Sequence, residues 1–312
     1  MLSYLVRRIW QMIPTLVGVV LLVFFLFHFF GGDPAVIIAG QGANAKQVAL
    51  IQQQLGLDKP WWYQLGVFCR EVVTLNWGRS WATNESVSHI FATRLPATLT
   101  IMVPLTILQV LLALPLGLGV AYLRGTLTDR AVMITTTVAL SISFLVYVII
   151  GQWLFGFQLG WFPVQGWSQN TGYNLIRYAP LPVLLAVCVS LAPQTRLYRT
   201  FFLDEIGHDY VRTARAKGVS ERGVMLKHVL RNAMIPILTD LGTGLPSIFI
   251  GAFLLEVFFS IPGLGREVLL AVNRSDYPVI QAFTVYLAVL TMVVNLLTDV
   301  AYKFVDPRVV LK

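Results

Sequence analysis

Six runs of roughly twenty or more mostly apolar residues punctuate the chain: Ile9 to Phe30, Ala97 to Leu123, Ala131 to Phe157, Pro180 to Tyr198, Ala233 to Val257 and Val279 to Tyr302. About 20 such residues carry an α-helix through bilayer hydrocarbon, where each backbone N–H and C=O must be satisfied inside the protein. The pattern predicts an all-α, polytopic membrane protein with six transmembrane helices. Composition agrees, because 56% hydrophobic and 12% charged residues leave too little polar surface to cover a soluble globule of 312 residues. The first run follows Arg7 and Arg8, outlasts the apolar core of a signal peptide and meets no A-x-A site, so it reads as a retained anchor. Prolines interrupt spans two (Pro104, Pro115), four (Pro182, Pro193) and five (Pro236, Pro246). Each removes a backbone donor, which a spanning helix tolerates where neighbours or a watery path satisfy the freed carbonyl.

The net charge of +8 is placed unevenly. In so apolar a chain it reads as membrane topology rather than nucleic-acid binding. Arg7, Arg8, Arg124, Arg130, Arg196, Arg199, Arg212, Arg215, Lys217, Arg222, Lys227, Arg231, Lys303, Arg308 and Lys312 fall on one side if the N-terminus is inside, which predicts both termini cytoplasmic. Cys69 and Cys188 are too few and too distant for a disulfide framework or a C-x-x-C metal site. His28, His89, His208 and His228 are scattered over separate elements. No G-x-x-x-x-G-K-[ST] loop, H-E-x-x-H motif or visible nucleophile–base arrangement occurs, so no catalytic or metal site is expected. An energy source would sit on another chain.

The sequence divides into an N-terminal transmembrane helix (1–30), an extracytoplasmic segment (31–95) and a core of five further spans (96–312). In the second part, Lys46 to Leu55 reads as a helix stopped by Gly56. Asp58 is a candidate cap for the next helix, with Pro60 in its early turn and Leu65, Phe68 and Val72 on one face. Trp61, Trp62, Trp77 and Trp81 suit headgroup depth or a partner surface.

Positive charge is densest between spans four and five. Asp204 to Lys217 is helix-compatible with cations near its end, Gly218 can take the left-handed stop, and Ser220 with Glu221 begins a second helix. Tyr210, Val211 and Ala214 form a small apolar patch among Arg212, Arg215 and Lys217, of a size to plug a groove. On the second helix Val224, Met225, Val229 and Ala233 share one face, while Lys227 and Arg231 share another.

This loop resembles the cytoplasmic EAA loop of bacterial ABC-importer permeases, specifically the dipeptide/oligopeptide/nickel group. Tyr210 to Gly218 reads YVRTARAKG, followed by His228, Leu230, Arg231, Asn232, Ala233 and Pro236. Further shared wording is LVRRI with Pro14, Gly32-Asp33-Pro34, LGLDKP from Leu55, RLPATL from Arg94, FSIPGLGR from Phe259, DYPVIQ from Asp276, and DPR from Asp306. The broader E-A-A-x-x-x-G-x9-I-x-L-P pattern is not kept: its Glu-Ala-Ala positions hold Arg212, Thr213 and Ala214, and its I-x-L-P positions hold His228, Val229, Leu230 and Arg231.

The resemblance implies an EAA-type loop over 203–232. Within it a coupling helix carrying Asp209, Tyr210, Arg212, Thr213, Ala214, Arg215, Lys217 and Gly218 would dock into an ATPase subunit. It implies a bacterial inner-membrane importer with a second homologous permease, two ABC ATPases that hold ATP and Mg, and an extracytoplasmic substrate-binding protein. This chain would be a translocation subunit rather than an enzyme, without a cofactor of its own. It would form half of a path for peptides, or alternatively for nickel or another small solute.

Acids inside spans are candidates for lining that path. Asp240 lies about a turn inside span five and Glu256 near its outer end. Glu256 suits equally a structural tie for the Gly/Pro-rich turn that follows, with Pro262, Gly263 and Gly265 as its re-entrant corner. Asp299 is placed to pair with Lys303 at i, i+4. Two readings of other classes remain distinguishable: an intramembrane enzyme would act without ATP or partners, and an ion channel would pass single-channel currents without ATPases.

Overall fold

A computed structural model describes residues 2–40, 43–250 and 253–305. Its helices are α1 Leu2–Phe30, α2 Pro34–Ala39, α3 Ala45–Leu55, α4 Trp61–Thr74, α5 Val87–Tyr122, α6 Leu127–Ser141, α7 Phe144–Gly151, α8 Thr171–Arg177, α9 Pro180–Ile206, α10 Asp209–Ala216, α11 Glu221–Gly223, α12 Leu230–Ile250, α13 Phe253–Phe258, α14 Leu264–Asn273 and α15 Tyr277–Val305. Among the described residues strand pairing is limited to an isolated Arg79–Ser86 bridge.

Among the described residues, five helical stretches are long and apolar enough to cross a membrane: Val6–Phe30, Val87–Tyr122, Pro180–Ile206, Glu221–Phe258 and Tyr277–Val300. The third expected span is two helices, Leu127–Ser141 and Phe144–Gln158, set at 88°. Ile142 and Ser143 are extended at this corner. The Ala139 carbonyl there accepts from the Ile142 N–H at 3.3 Å and from the Tyr147 hydroxyl at 3.1 Å. A sharp break in a membrane helix persists because such donors replace the missing ladder bonds.

Helices α5 and α9 pair along much of their length. They approach closely at Gly117, where a Cβ would come within 2.9 Å of the Tyr198 Cβ and 3.2 Å of the Arg199 nitrogen. Towards one end Ile101, Leu105, Leu181, Leu185, Leu255 and Ile261 form one core; towards the other Ala113, Tyr198, Phe202, Val229 and Ile237 form a second. Large apolar side chains such as Trp10, Leu22, Ile107, Leu111, Ile149 and Ile150 turn outward, as lipid-facing helices require.

The segment before α5 is structured. Asn44 and Gln47 make a capping box on α3, and Gly56 closes it in the left-handed conformation at φ 68°. Asp58 does not cap α4. Pro60, extended at φ −58° and ψ 148°, itself occupies the cap position and lacks a side-chain acceptor, so α4 begins at Trp61. Phe68 and Val72 are buried with Val20, Val23 and Phe24 of α1 and Val285 of α15, and Leu65 packs against them. The loop after α4 is latched to the head of α15. Asp276, 3% exposed, accepts from the Ser80 hydroxyl and, at 3.0 Å, from the Trp81 N–H.

Candidate functional site

The charged loop folds as an elbow whose two arms are extensions of membrane helices. The helix expected over Asp204 to Lys217 is interrupted: α9 runs to Ile206, Gly207 follows, and His208 turns extended before α10 starts at Asp209. Gly218, at φ 77°, ends α10 in a Schellman turn, with Val219 N–H on Ala214 O at 3.2 Å and Gly218 N–H on Arg215 O at 2.9 Å. The Ser220 hydroxyl then accepts from the Gly223 N–H at 3.3 Å and opens α11. From there the chain is helical without a gap through a π-helical stretch, Val224–Val229, into α12. The second loop helix and span five are therefore one rod, roughly 40 Å from Glu221 to Ile250 at helical rise.

The faces of α10 are sharply divided. Val211 is 0% and Ala214 6% exposed, both packed with Phe202, Val224, Met225 and Val229. The small apolar patch thus seats the elbow on its own chain, which corrects the expectation that it plugs a partner's groove. A helix this short has too little polar surface to leave an apolar side uncovered, and the nearest cover is α9 and the π-helical arm. Asp209, Arg212, Thr213, Arg215, Lys217 and Gly218 are exposed on the other side. Arg215 reaches across the turn to Glu221, with Nε on Oε1 at 2.8 Å and Nη2 on Oε2 at 3.3 Å, and Arg212 meets Asp209 at 3.4 Å. Tyr210 is half-buried, stacks on His208 and donates its hydroxyl to Glu205. Burial, with Glu205 beside it, pushes its phenol up to about 12, so it stays a donor at physiological pH.

Above the elbow, Asp129 and Arg199 join α6 to α9 in a two-point clamp, Nε–Oδ1 and Nη2–Oδ2 both at 2.9 Å. Asp129 also accepts from the Gly125 N–H at 2.9 Å, and its side chain is 7% exposed. In the sequence Arg199 is one of the topological charges, and the visible sign of the clamp is an acid, Asp129, lodged between Arg124 and Arg130. Further along, Gln109 of α5 donates to Gln194 of α9 at 3.2 Å, and Gln194 donates to Asp240 of α12. Asp240 thus stands in a half-buried polar relay across three spans. Near the end of α15 Asp299 meets Arg8 at 2.8 Å, tying α15 to α1. The expected Asp299–Lys303 pair involves a side chain outside the described residues.

Glu256 is 1% exposed, which removes it from any open path in this conformation. Its Oε1 accepts from the Thr98 hydroxyl at 2.7 Å and its Oε2 from the Arg266 N–H at 2.7 Å, while Thr98 Oγ1 accepts from the Leu264 N–H at 2.8 Å. A carboxylate and a hydroxyl so take up the free N–H groups at the head of α14, where the helix dipole favours negative charge. Gly263 and Gly265 give the carboxylate room, since a Cβ on Gly263 would run into it and one on Gly265 would come within 3.1 Å. Pro262 is half-buried within the corner that these glycines close. The carbonyl of Phe258 accepts from Gln152 at 3.0 Å and from Gln165 at 3.2 Å, binding the turn to α7 and the loop after it.

The described residues thus form a helical membrane bundle of bent, proline-bearing spans, with a charged elbow at one end and a Gly/Pro-rich turn at the other. Residues 113–311 match the family described as the binding-protein-dependent transport system inner membrane component, and residues 1–102 match the N-terminal region of such components. The chain belongs to this family and is a multi-pass permease subunit of an ABC importer. It is 36% identical over 309 residues to the glutathione transport system permease protein GsiC of Salmonella typhi, covering 99% of both chains. It is also 30% identical over 331 residues to the dipeptide transport system permease protein DppB of Alkalihalophilus pseudofirmus, and 33% identical over 311 residues to a putative peptide transport system permease protein of Brucella abortus, at 99% coverage in each case.

Proposed function

We propose that the chain is half of the translocation path of an ATP-driven peptide importer, and that α10 is the element through which ATPase subunits move it. The observation that carries the coupling role is the division of α10. Its buried side is fastened to α9 and to the rod that becomes span five, and its exposed side offers Asp209, Arg212, Thr213, Arg215 and Lys217 to an acidic or polar partner surface. A push on α10 is thereby delivered to two membrane helices rather than dissipated in a loop. Relatives named for glutathione, dipeptides and peptides support small peptides as the solute class.

The working assembly in this reading has a second homologous permease, two ATPases carrying ATP and Mg, and an extracytoplasmic binding protein. In this reading α10 and both termini lie in the cytoplasm and residues 31–95 outside, an orientation that the cations gathered on the α10 side support. Asp240, with Gln194 and Gln109, is the polar step along the path, while Glu256 holds the outer turn. Because an alternating path must not open at both faces, ATP-driven movement of the elbow is answered at the outer turn through the continuous α12 rod. Reconstitution with partner ATPases and a binding protein, measuring ATP-dependent uptake of di-, tri- and longer peptides with nickel in parallel, tests this. Uptake of nickel alone, or peptide flux without ATP hydrolysis, overturns it.

A further inference from the structure

The outer layer contains a cavity of about 970 Å³ that the transport reading leaves unused. It lies between the outer end of α1, helices α2 to α4, the loop after α4 and the head of α15. Phe24, Phe68 and Trp77, packed in one cluster, line one side, and Tyr277 lines another. Two carboxylates reach the space. Asp33 is occupied, with Oδ1 accepting from the Ala35 N–H at 2.9 Å and Oδ2 from the Gln52 amide at 2.7 Å.

Glu71 is different. It is half-buried, and its carboxylate has neither an ion pair nor a hydrogen bond among the described residues. Gly78, at φ 70°, stands beside it; a Cβ there would lie 3.7 Å from Oε1, so the backbone brings no bulk against the acid. Burial raises this carboxyl above its ordinary value, the mark of a charge that has lost water and gained no partner. A positive ligand would relieve that cost, and the faces of neighbouring aromatic rings attract the same cation.

We propose that this cavity binds a primary ammonium group, held by Glu71 and flanked by the Phe68 and Trp77 rings. Arg79 lines the same space, with one guanidinium N–H on the Asn84 carbonyl at 3.1 Å, so a zwitterion carrying an anion near its ammonium matches the charges present. Two sources supply that chemistry. One is an aminophospholipid headgroup, close at hand because Phe29 and Phe30 at the end of α1 are 66% and 86% exposed. The other is the free amine of a small solute.

The test uses the full-length chain in lipid nanodiscs, as wild type, Glu71→Gln and Glu71→Asp, each checked for unchanged thermal unfolding. In one arm native mass spectrometry counts retained phosphatidylethanolamine against phosphatidylglycerol. In the other a photoreactive dipeptide, with a free or an acetylated N-terminus, is crosslinked and mapped to residues 61–80. Loss of one charge-assisted contact should lower occupancy by at least about tenfold in Glu71→Gln, with partial recovery in Glu71→Asp. A response confined to phosphatidylethanolamine assigns a lipid headgroup, and one confined to the free-amine dipeptide assigns a solute. Equal binding by wild type and Glu71→Gln, indifference to acetylation and headgroup, or no binding by wild type overturns the site. None of these readouts involves uptake, so their failure and the failure of the transport proposal are separable.

Discussion

Glu256 and Ala214 are single side chains whose surroundings reverse what their residue type suggests. An acid in an apolar span invites a role in the path, yet Glu256 spends both oxygens on Thr98 and the head of α14. Glu256→Gln keeps the shape but turns an amide donor towards backbone donors. The outer turn should therefore loosen by about 2–3 kcal/mol, seen as a lower midpoint of thermal unfolding in detergent and faster proteolysis near Arg266. Thr98→Val, which removes one relay member and leaves the carboxylate, should cost less. An unchanged midpoint in both would dismiss the tie. At Ala214 the same logic separates packing from docking. Ala214→Glu places a charge in a closed cluster and should prevent the chain from accumulating in membranes. Arg212→Glu combined with Lys217→Glu changes only the exposed side, so the protein should insert normally while ATP hydrolysis no longer drives uptake. If the double variant transports at the wild-type rate, that side is not the docking surface.

Among elements, the proposed coupling makes the corner between α9 and α10 the place where movement at the elbow would reach the bundle. Asp129 and Arg199 fix α6 to α9 just above it, and a mostly buried two-point pair loses heavily when one member is removed. Asp129→Asn should destabilise the inner half by about 3 kcal/mol. Arg199→Lys, which keeps the charge and loses the planar fork, should retain much of the fold yet couple poorly, read as peptide molecules imported per ATP hydrolysed. Equal coupling ratios in wild type and Arg199→Lys would show that the clamp does not transmit the movement.

These elements also mark where sequence reading succeeds. Apolar run length and Gly218 announced the spans and the stop of α10, because both are local properties of the chain. The break at Gly207, the cap position of Pro60 and the right-angled third span were not legible. Each depends on which of several compatible backbone states the packed neighbours favour. The same holds for the candidate site: the residues of α10 were named from the sequence, but which of them face inward follows from α9 and the π-helical arm closing over Val211 and Ala214. Thr98 and Gln194 carry no local signal, since their partners lie 158 and 46 residues away, and Asp129, though conspicuous between two arginines, pairs with a residue 70 positions on.

At the scale of the whole molecule, the proposed mechanism requires the elbow and the cavity layer to lie on opposite sides of the membrane. In that proposal the cations of the elbow hold it inside and the other layer lacks a comparable cluster, so orientation would be an electrostatic outcome that labelling can read directly. In a background with Cys69→Ser and Cys188→Ser, a membrane-impermeant maleimide applied to intact cells should label Trp62→Cys, which is exposed on α4, and spare Arg222→Cys until the membrane is opened. The reverse pattern would put α10 outside, away from any nucleotide, and end the coupling proposal whatever the solute. With the orientation confirmed, the rod from Glu221 to Ile250 predicts a second response in the same background. Locking the ATPases closed should change the labelling rate of a cysteine at Pro262, at the far end of the bundle, and the Arg212→Glu, Lys217→Glu variant should abolish that change. A Pro262→Cys rate that ignores nucleotide in the assembled importer would mean that the elbow and the outer turn move independently, and that the helix joining them is a support rather than a lever.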